Sequence, residues 1–192
     1  MKLFSLEKST IIDKENSYIY SYPAMISFFK NKDILTTNDV IVGIHMVYGW
    51  MPTILAIKGI HNIEKATNIL NKLKHYNKDT VIWKIDNIEE DLELLKLIFN
   101  NSIVGVSKFL HFMKPELYPI YDSKIYRYIK EEEPYNYRVN DVSSYLMAIK
   151  TIEAVSKDKR AGDFHKSVQN KVGYPISKIR AIELIMFLNS SN

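Results

Sequence analysis

The stretch NNSIVGVSKFLHFMKPELYPIYDSKIYRYI, residues 100–129, decides how this chain is read. A helix ends near Asn100–Asn101, and a short apolar turn carrying Gly105 follows. Ser107 and Lys108 open the next helix, whose face carries Phe109, Phe112 and Met113. Pro115 stops it, because proline offers no N–H to continue the ladder. A connection containing Pro119 leads to Asp122, at the mouth of a further helix, Ser123–Lys130. Aspartate there caps free backbone N–H groups, so the position has a purely local explanation. Lys108 has one too, as a solvated lysine in a first helical turn.

Outward from this stretch, helical periodicity dominates. Pro23 near its start marks a helix over Tyr22–Lys32. Val40, Ile44, Val47 and Tyr48 share one face behind the capping residues Thr37 and Asn38. Gly49 ends that helix and Pro52 prevents its simple continuation. Ile63, Ala66, Leu70 and Leu73 form the next stripe, after Asn62. Val81–Ile85 reads as a strand or a buried turn. Ile88, Leu92, Leu95 and Phe99 follow, with Glu89, Glu90 and Asp91 where the helix dipole favours acid. Val142, Leu146, Ile149 and Ile152 mark a long helix behind Asn140 and Asp141. Ser177–Leu188 is apolar nearly all round, the pattern of a buried helix. Lys2–Phe4 and Tyr18–Tyr20 are β-prone and read as a short N-terminal ribbon. The expected fold is mostly all-α, an irregular domain of about eight helices over residues 1–192, in one body or two lobes.

The order of parts in residues 88–130 resembles the active-site segment of the helix-hairpin-helix DNA glycosylases, the superfamily that includes endonuclease III and the 8-oxoguanine glycosylases. There a glycine-bearing hairpin precedes a lysine at the start of a helix, and a proline-containing loop leads to an aspartate that opens another. Lys108 matches the nucleophile position and Asp122 the catalytic aspartate. Lys124 stands where the family often has histidine, followed by Ile125, Tyr126 and Arg127 in the family's aliphatic, aromatic, arginine order. The chain departs in its hairpin, where Val104 and Val106 flank Gly105 in place of two glycines, and in a shorter connection from Lys108 to Asp122.

The resemblance implies excision of a damaged or modified base from double-stranded DNA, with a further lyase step. The target nucleotide leaves the stack so that its sugar C1′ becomes accessible. Asp122 would stabilise the cationic sugar, and a neutral Lys108 would attack C1′. Backbone N–H groups around Gly105, Val106 and Ser107, with Lys124 and Arg127, would hold phosphate. Tyr48, Trp50 and His111 would wall the base pocket, although each also suits a core corner. Two other classes fit the same residues: a non-catalytic nucleic-acid-binding module and a helical interaction protein.

Composition bounds the rest. Of the 192 residues, 46 % are apolar and 25 % charged, an ordinary globular balance. Lys and Arg outnumber Asp and Glu by 26 to 22, which permits nucleic-acid binding without demanding it. Lys157, Lys159, Arg160, Lys166, Lys171, Lys178 and Arg180 make the last third locally basic, while Glu131–Glu133 should face water away from any duplex. There is no cysteine, which excludes disulfides, cysteine-held zinc and iron–sulfur clusters. The five histidines lack metal-ligand spacing, so neither a metal nor a cofactor is expected. The opening MKLFSLEKST lacks the apolar run of a signal peptide, and no stretch approaches membrane-spanning length. The expected location is the cytoplasm, with a monomer as the default state.

Overall fold

The computed structural model describes residues 2–51, 53–57, 59–77 and 79–190. Twelve α-helical segments follow one another: α1 Leu3–Ser9, α2 Ser17–Tyr20, α3 Tyr22–Lys30, α4 Thr37–Trp50, α5 Ile63–His75, α6 Ile88–Lys96, α7 Ile103–Met113, α8 Ser123–Lys130, α9 Asn136–Val139, α10 Val142–Ser156, α11 Ala161–Val172 and α12 Lys178–Leu188. Short 3₁₀ turns cover Ile60–Asn62 and Ile82–Lys84, so Val81–Ile85 is a turn with Ile82 buried and not a strand. No strand occurs among the described residues.

Two helices organise the packing. α7 is buried from Gly105 to Met113 and is surrounded by α3, α4, α5, α6 and α10. α12 is buried from Ile179 to Met186 and is surrounded by α1, α8, α10 and α11. A helix that is apolar all round is stable only when neighbours cover every face. Close approach is needed to achieve that. At Gly43 of α4 an added Cβ would lie 2.6 Å from Phe109 Cε2 and 2.8 Å from Phe29 Cζ. The buried side chains of both neighbourhoods form one continuous cluster, bridged by α10.

The helix ends carry the expected signals. Thr36 and Asp39 form a reciprocal capping box at the start of α4, one residue ahead of the expected caps. Asp141 caps α10, and Ser177 caps α12. Pro52, read as the stop behind α4, lies outside the described residues. The N-terminal ribbon is corrected to helix. Leu3 is buried in α1, and Phe4 sets its ring edge-on to Phe164, 5.3 Å between centroids. The Asn16 side chain accepts from Tyr18 N–H and caps the single turn of α2. A three-residue tyrosine alternation is too short to hold a strand against a cap on one side and Pro23 on the other. Among the described residues no helix is long and apolar enough to cross a membrane.

Candidate active site

The expected helix start near Ser107 is corrected to Ile103. Ser102 is the N-cap, its hydroxyl accepting the Gly105 N–H at 3.2 Å. The turn before it is built by Asn100 and Asn101, both in the left-handed region that asparagine tolerates, with φ of 54° and 53°. The Asn100 side chain holds this turn to the Ile54 carbonyl and the Ala56 N–H, and the Asn140 side chain holds it to the Asn101 carbonyl and the Ile103 N–H.

Gly105 therefore lies inside a helix and serves packing. An added Cβ would sit 2.8 Å from the Tyr48 hydroxyl, which donates to the Phe99 carbonyl at 2.5 Å. Val106 and Ser107 are fully buried, and the Val106 N–H is taken by the Ser102 carbonyl. A phosphate grip at Gly105–Ser107 is thus corrected: these groups are spent inside the fold. Gly105→Ala is expected to cost about 1–3 kcal/mol by displacing Tyr48. Urea unfolding checks this, and unchanged stability would remove the packing account.

What the helix does instead is set Lys108 beside Asp122. The Ser107 hydroxyl accepts the Tyr121 N–H at 3.1 Å and lies 3.1 Å from the Tyr121 carbonyl. Lys108 and Asp122 are the next residues along each strand of this clasp, so their backbones are held side by side. Asp122 caps α8 as the sequence indicates. Its Oδ1 accepts from the Lys124 and Ile125 N–H groups, both at 3.0 Å, which leaves Oδ2 without a backbone donor.

Lys108 is not a solvated lysine. The residue is 8 % exposed, and its amine makes no hydrogen bond and no ion pair. Its Nζ lies 6.0 Å from the centre of the Trp50 ring. Burial holds its pKa below the usual lysine range, and the Arg180 cation pushes the same way, while Asp122 and Glu183 partly restore it. The amine nevertheless touches solvent. Among the described residues, only the hydroxyls of Tyr121 and Ser190 are both sealed and unpartnered.

Behind Lys108 lies a charged pair that the sequence reading did not connect with it. Arg180 Nη1 and Glu183 Oε1 of α12 are 2.6 Å apart, with side chains 4 % and 1 % exposed. The Arg180 guanidinium also covers the Tyr22 ring, 4.6 Å from its centre. Tyr22 Oη is 2.8 Å from His111 Nε2, and His111 Nδ1 is 2.7 Å from the Tyr118 carbonyl. A carbonyl only accepts, so Nδ1 carries the proton and Nε2 accepts from Tyr22. Burial lowers the His111 pKa to about 3 and raises that of Glu183 to about 7.

The remaining expected site residues divide. Trp50 borders the site beside Lys108, its indole N–H donating to Ser21 Oγ at 3.0 Å. Tyr48 and His111 are corrected from pocket wall to buried support, since both spend their polar atoms inside the fold. Lys124 lies over the Phe187 ring at 4.7 Å, and Arg127 pairs with Glu133 at 3.3 Å. The basic last third is largely neutralised: Lys157 pairs with Glu153, Arg160 with Asp158, Lys171 with Glu7 and Arg180 with Glu183. The acidic run is exposed as expected, but Glu132 and Glu133 are partnered by Arg138 and Arg127. Four surface hollows of 390–640 Å³ lie along α1, α8, α10, α11 and the chain around Glu131–Glu133, and neither Lys108 nor Asp122 lines any of them.

No protein-family model, curated protein or solved structure matches this chain.

Proposed function

We propose that this protein is a DNA-base glycosylase with associated lyase chemistry, acting through Lys108 and Asp122 on a damaged or modified base in duplex DNA. One observation carries the reading: a largely buried lysine whose amine makes no hydrogen bond or ion pair, clasped beside a carboxylate that keeps one oxygen free of backbone donors. Leaving a buried amine unpartnered costs stability, and such sites concentrate where function needs the group. Desolvation raises the fraction of neutral amine, the form that attacks C1′. The sugar becomes cationic as the base departs, and the Asp122 carboxylate stabilises that charge. Lys108 is nearly covered and lines none of the four hollows described above, so admitting a nucleotide would require side chains beside it, Trp50 among them, to move aside.

The test uses duplexes carrying candidate modified bases, with borohydride trapping and an assay for abasic sites. The native protein is expected to release a base and give a trapped adduct mapping to Lys108, and Lys108→Gln to give no adduct. Native protein that leaves every duplex and an abasic duplex unmodified would overturn the enzyme reading. Salt-sensitive duplex binding without base release would place the chain among non-catalytic binding modules instead.

A further inference from the structure

Two large aromatic rings stand in solvent just after the Glu131–Glu133 run. Tyr135 precedes α9 and Tyr137 lies in its single turn, and they are 56 % and 71 % exposed. Their rings are parallel to within 5°, with 6.0 Å between centres. The Arg138 guanidinium lies 5.3 Å from the Tyr135 ring centre and 5.6 Å from that of Tyr137. Its Nε donates to Tyr137 Oη at 3.1 Å and its Nη1 to Glu132 at 3.1 Å. Glu132 also accepts from the Tyr126 hydroxyl of α8 at 3.1 Å. We propose that Tyr135, Tyr137 and Arg138 form a stacking surface for the unpaired bases of single-stranded DNA.

An exposed tyrosine ordinarily samples several rotamers, and fixing it on binding costs entropy. Here the rings are already held. Arg138 spans both, Glu132 holds Arg138, and α8 holds Glu132. The backbone is held as well. The Tyr135 N–H donates to the Glu133 carbonyl at 2.9 Å, Val139 is buried, and the Asn140 side chain ties the end of α9 to Asn101 and Ile103. A contact surface fixed in advance loses least when a partner arrives.

Charge narrows the choice of partner. Residues 126–138 carry Arg127, Lys130 and Arg138 against Glu131, Glu132 and Glu133, three cations to three anions. Arg127 pairs with Glu133, and Arg138 with Glu132. Such a patch recruits neither a basic peptide nor a phosphate-dense duplex by charge. What it offers is flat ring area. Unpaired bases stack on aromatic rings and on arginine planes, and both are present. A duplex hides those same base faces within its own stack. Glu132 and Glu133 also line a hollow of about 640 Å³ with Lys2 and Asn189, which leaves room for a strand beside the rings. Stacking does not read the sugar, so taking the strand as DNA is the one step that rests on the base-excision reading.

The experiment measures binding of the whole chain to short labelled probes by fluorescence anisotropy. The probes are a mixed-sequence DNA single strand, the same strand lacking every base, its duplex, and the matching RNA. The native protein is expected to bind the base-bearing strand about tenfold more tightly than the base-free strand or the duplex. Tyr135→Ala and Tyr137→Ala should each weaken the base-bearing strand about tenfold and leave the base-free strand and the thermal midpoint nearly unchanged. Tyr135→Phe should bind as the native protein does. No binding of the base-bearing strand, equal affinity for the two strands, or alanine variants that bind like the native protein would overturn the proposal. So would capture of an oligoproline peptide without capture of the strand, which assigns the rings to a protein partner. RNA bound in place of DNA removes DNA as the source and overturns it too. Should an alanine variant not fold, photocrosslinking of the native protein to a 5-iodouracil strand decides. Adducts on Tyr135 or Tyr137 support the surface, and adducts confined to other residues refute it. None of these readouts requires base release. A chain that excises no base therefore loses the base-excision reading, while strand binding alone decides this surface.

Discussion

Asp122→Asn is expected to leave the fold intact and slow base release by about 10²–10³-fold, the loss typical of removing one preorganised stabiliser of transition-state charge. Asp122 has two separable duties. As a cap, its Oδ1 receives two backbone N–H groups of α8. An asparagine carbonyl performs that duty about as well, so stability should change by no more than about 0.5 kcal/mol. As a carboxylate, it would under the proposed function face the developing sugar cation, and asparagine has no charge to offer. Asp122→Ala, by contrast, should lose the cap as well, at about 1 kcal/mol. The sign is informative for Lys108 too. Asp122 holds the Lys108 pKa up, so its removal makes the amine more neutral. If the only duty of Asp122 were to govern Lys108, Asp122→Asn would react faster. Single-turnover base release and thermal melts on the same preparations separate these cases, and a rate within threefold of native would take Asp122 out of the chemistry.

How far the site was legible depends on which interactions a residue's role requires. Asp122 was readable because capping and helix start are local: an aspartate, then a stripe at Ile125 with Ile129, define α8 from neighbours in sequence. Lys108 was readable as a position and not as an environment, since the groups around it include Trp50 of α4 and Arg180 and Glu183 of α12, all distant in the chain. The start of α7 was misread for a physical reason. Glycine is one turn former, but asparagine pairs at positive φ make turns as well, and Ser102 capping the N–H of Gly105 is the competing local signal. α11 was hidden inside a basic tract. Its buried stripe of Ala161, Phe164, Val168 and Val172 is sparse, while its polar faces dominate the composition. Arg180 and Glu183 carried a usable signal. A charged pair three residues apart, inside a helix read as apolar all round, must be buried and partnered, and buried pairs mark either function or specificity. The step not available from sequence was that this pair faces Lys108.

His111 should set the acid stability of the fold, and the direction follows from the two buried groups flanking the site. In the unfolded chain His111 titrates near its ordinary value of 6.5, and in the fold near 3. The fold therefore needs the neutral ring, and stability present above pH 6.5 is lost as pH falls through 3, by roughly 5 kcal/mol in total. Glu183 acts in the opposite sense. Its folded pKa of about 7 lies above the ordinary 4.5, so the fold favours the protonated form and gains stability as pH falls from 7 to 4.5, by roughly 3 kcal/mol. The two slopes oppose each other between pH 6.5 and 4.5, and native stability should be nearly level there. Below 4.5 only His111 continues to titrate between these two, and stability should fall steeply toward pH 3. His111→Gln keeps a donor for the Tyr118 carbonyl and an acceptor for Tyr22, but cannot take up a proton. Its stability should rise as pH falls from 7 to 4.5, and its steep decline should be absent. Glu183→Gln should show the reverse, with decline setting in at pH 6.5. Urea midpoints taken across pH 3 to 7.5 for the three proteins test this, and the differences between profiles cancel the exposed carboxylates common to all. Parallel profiles for the native protein and His111→Gln would show that the ring does not stay neutral in the fold, and would dissolve the Tyr22–His111–Tyr118 line as the support behind Arg180.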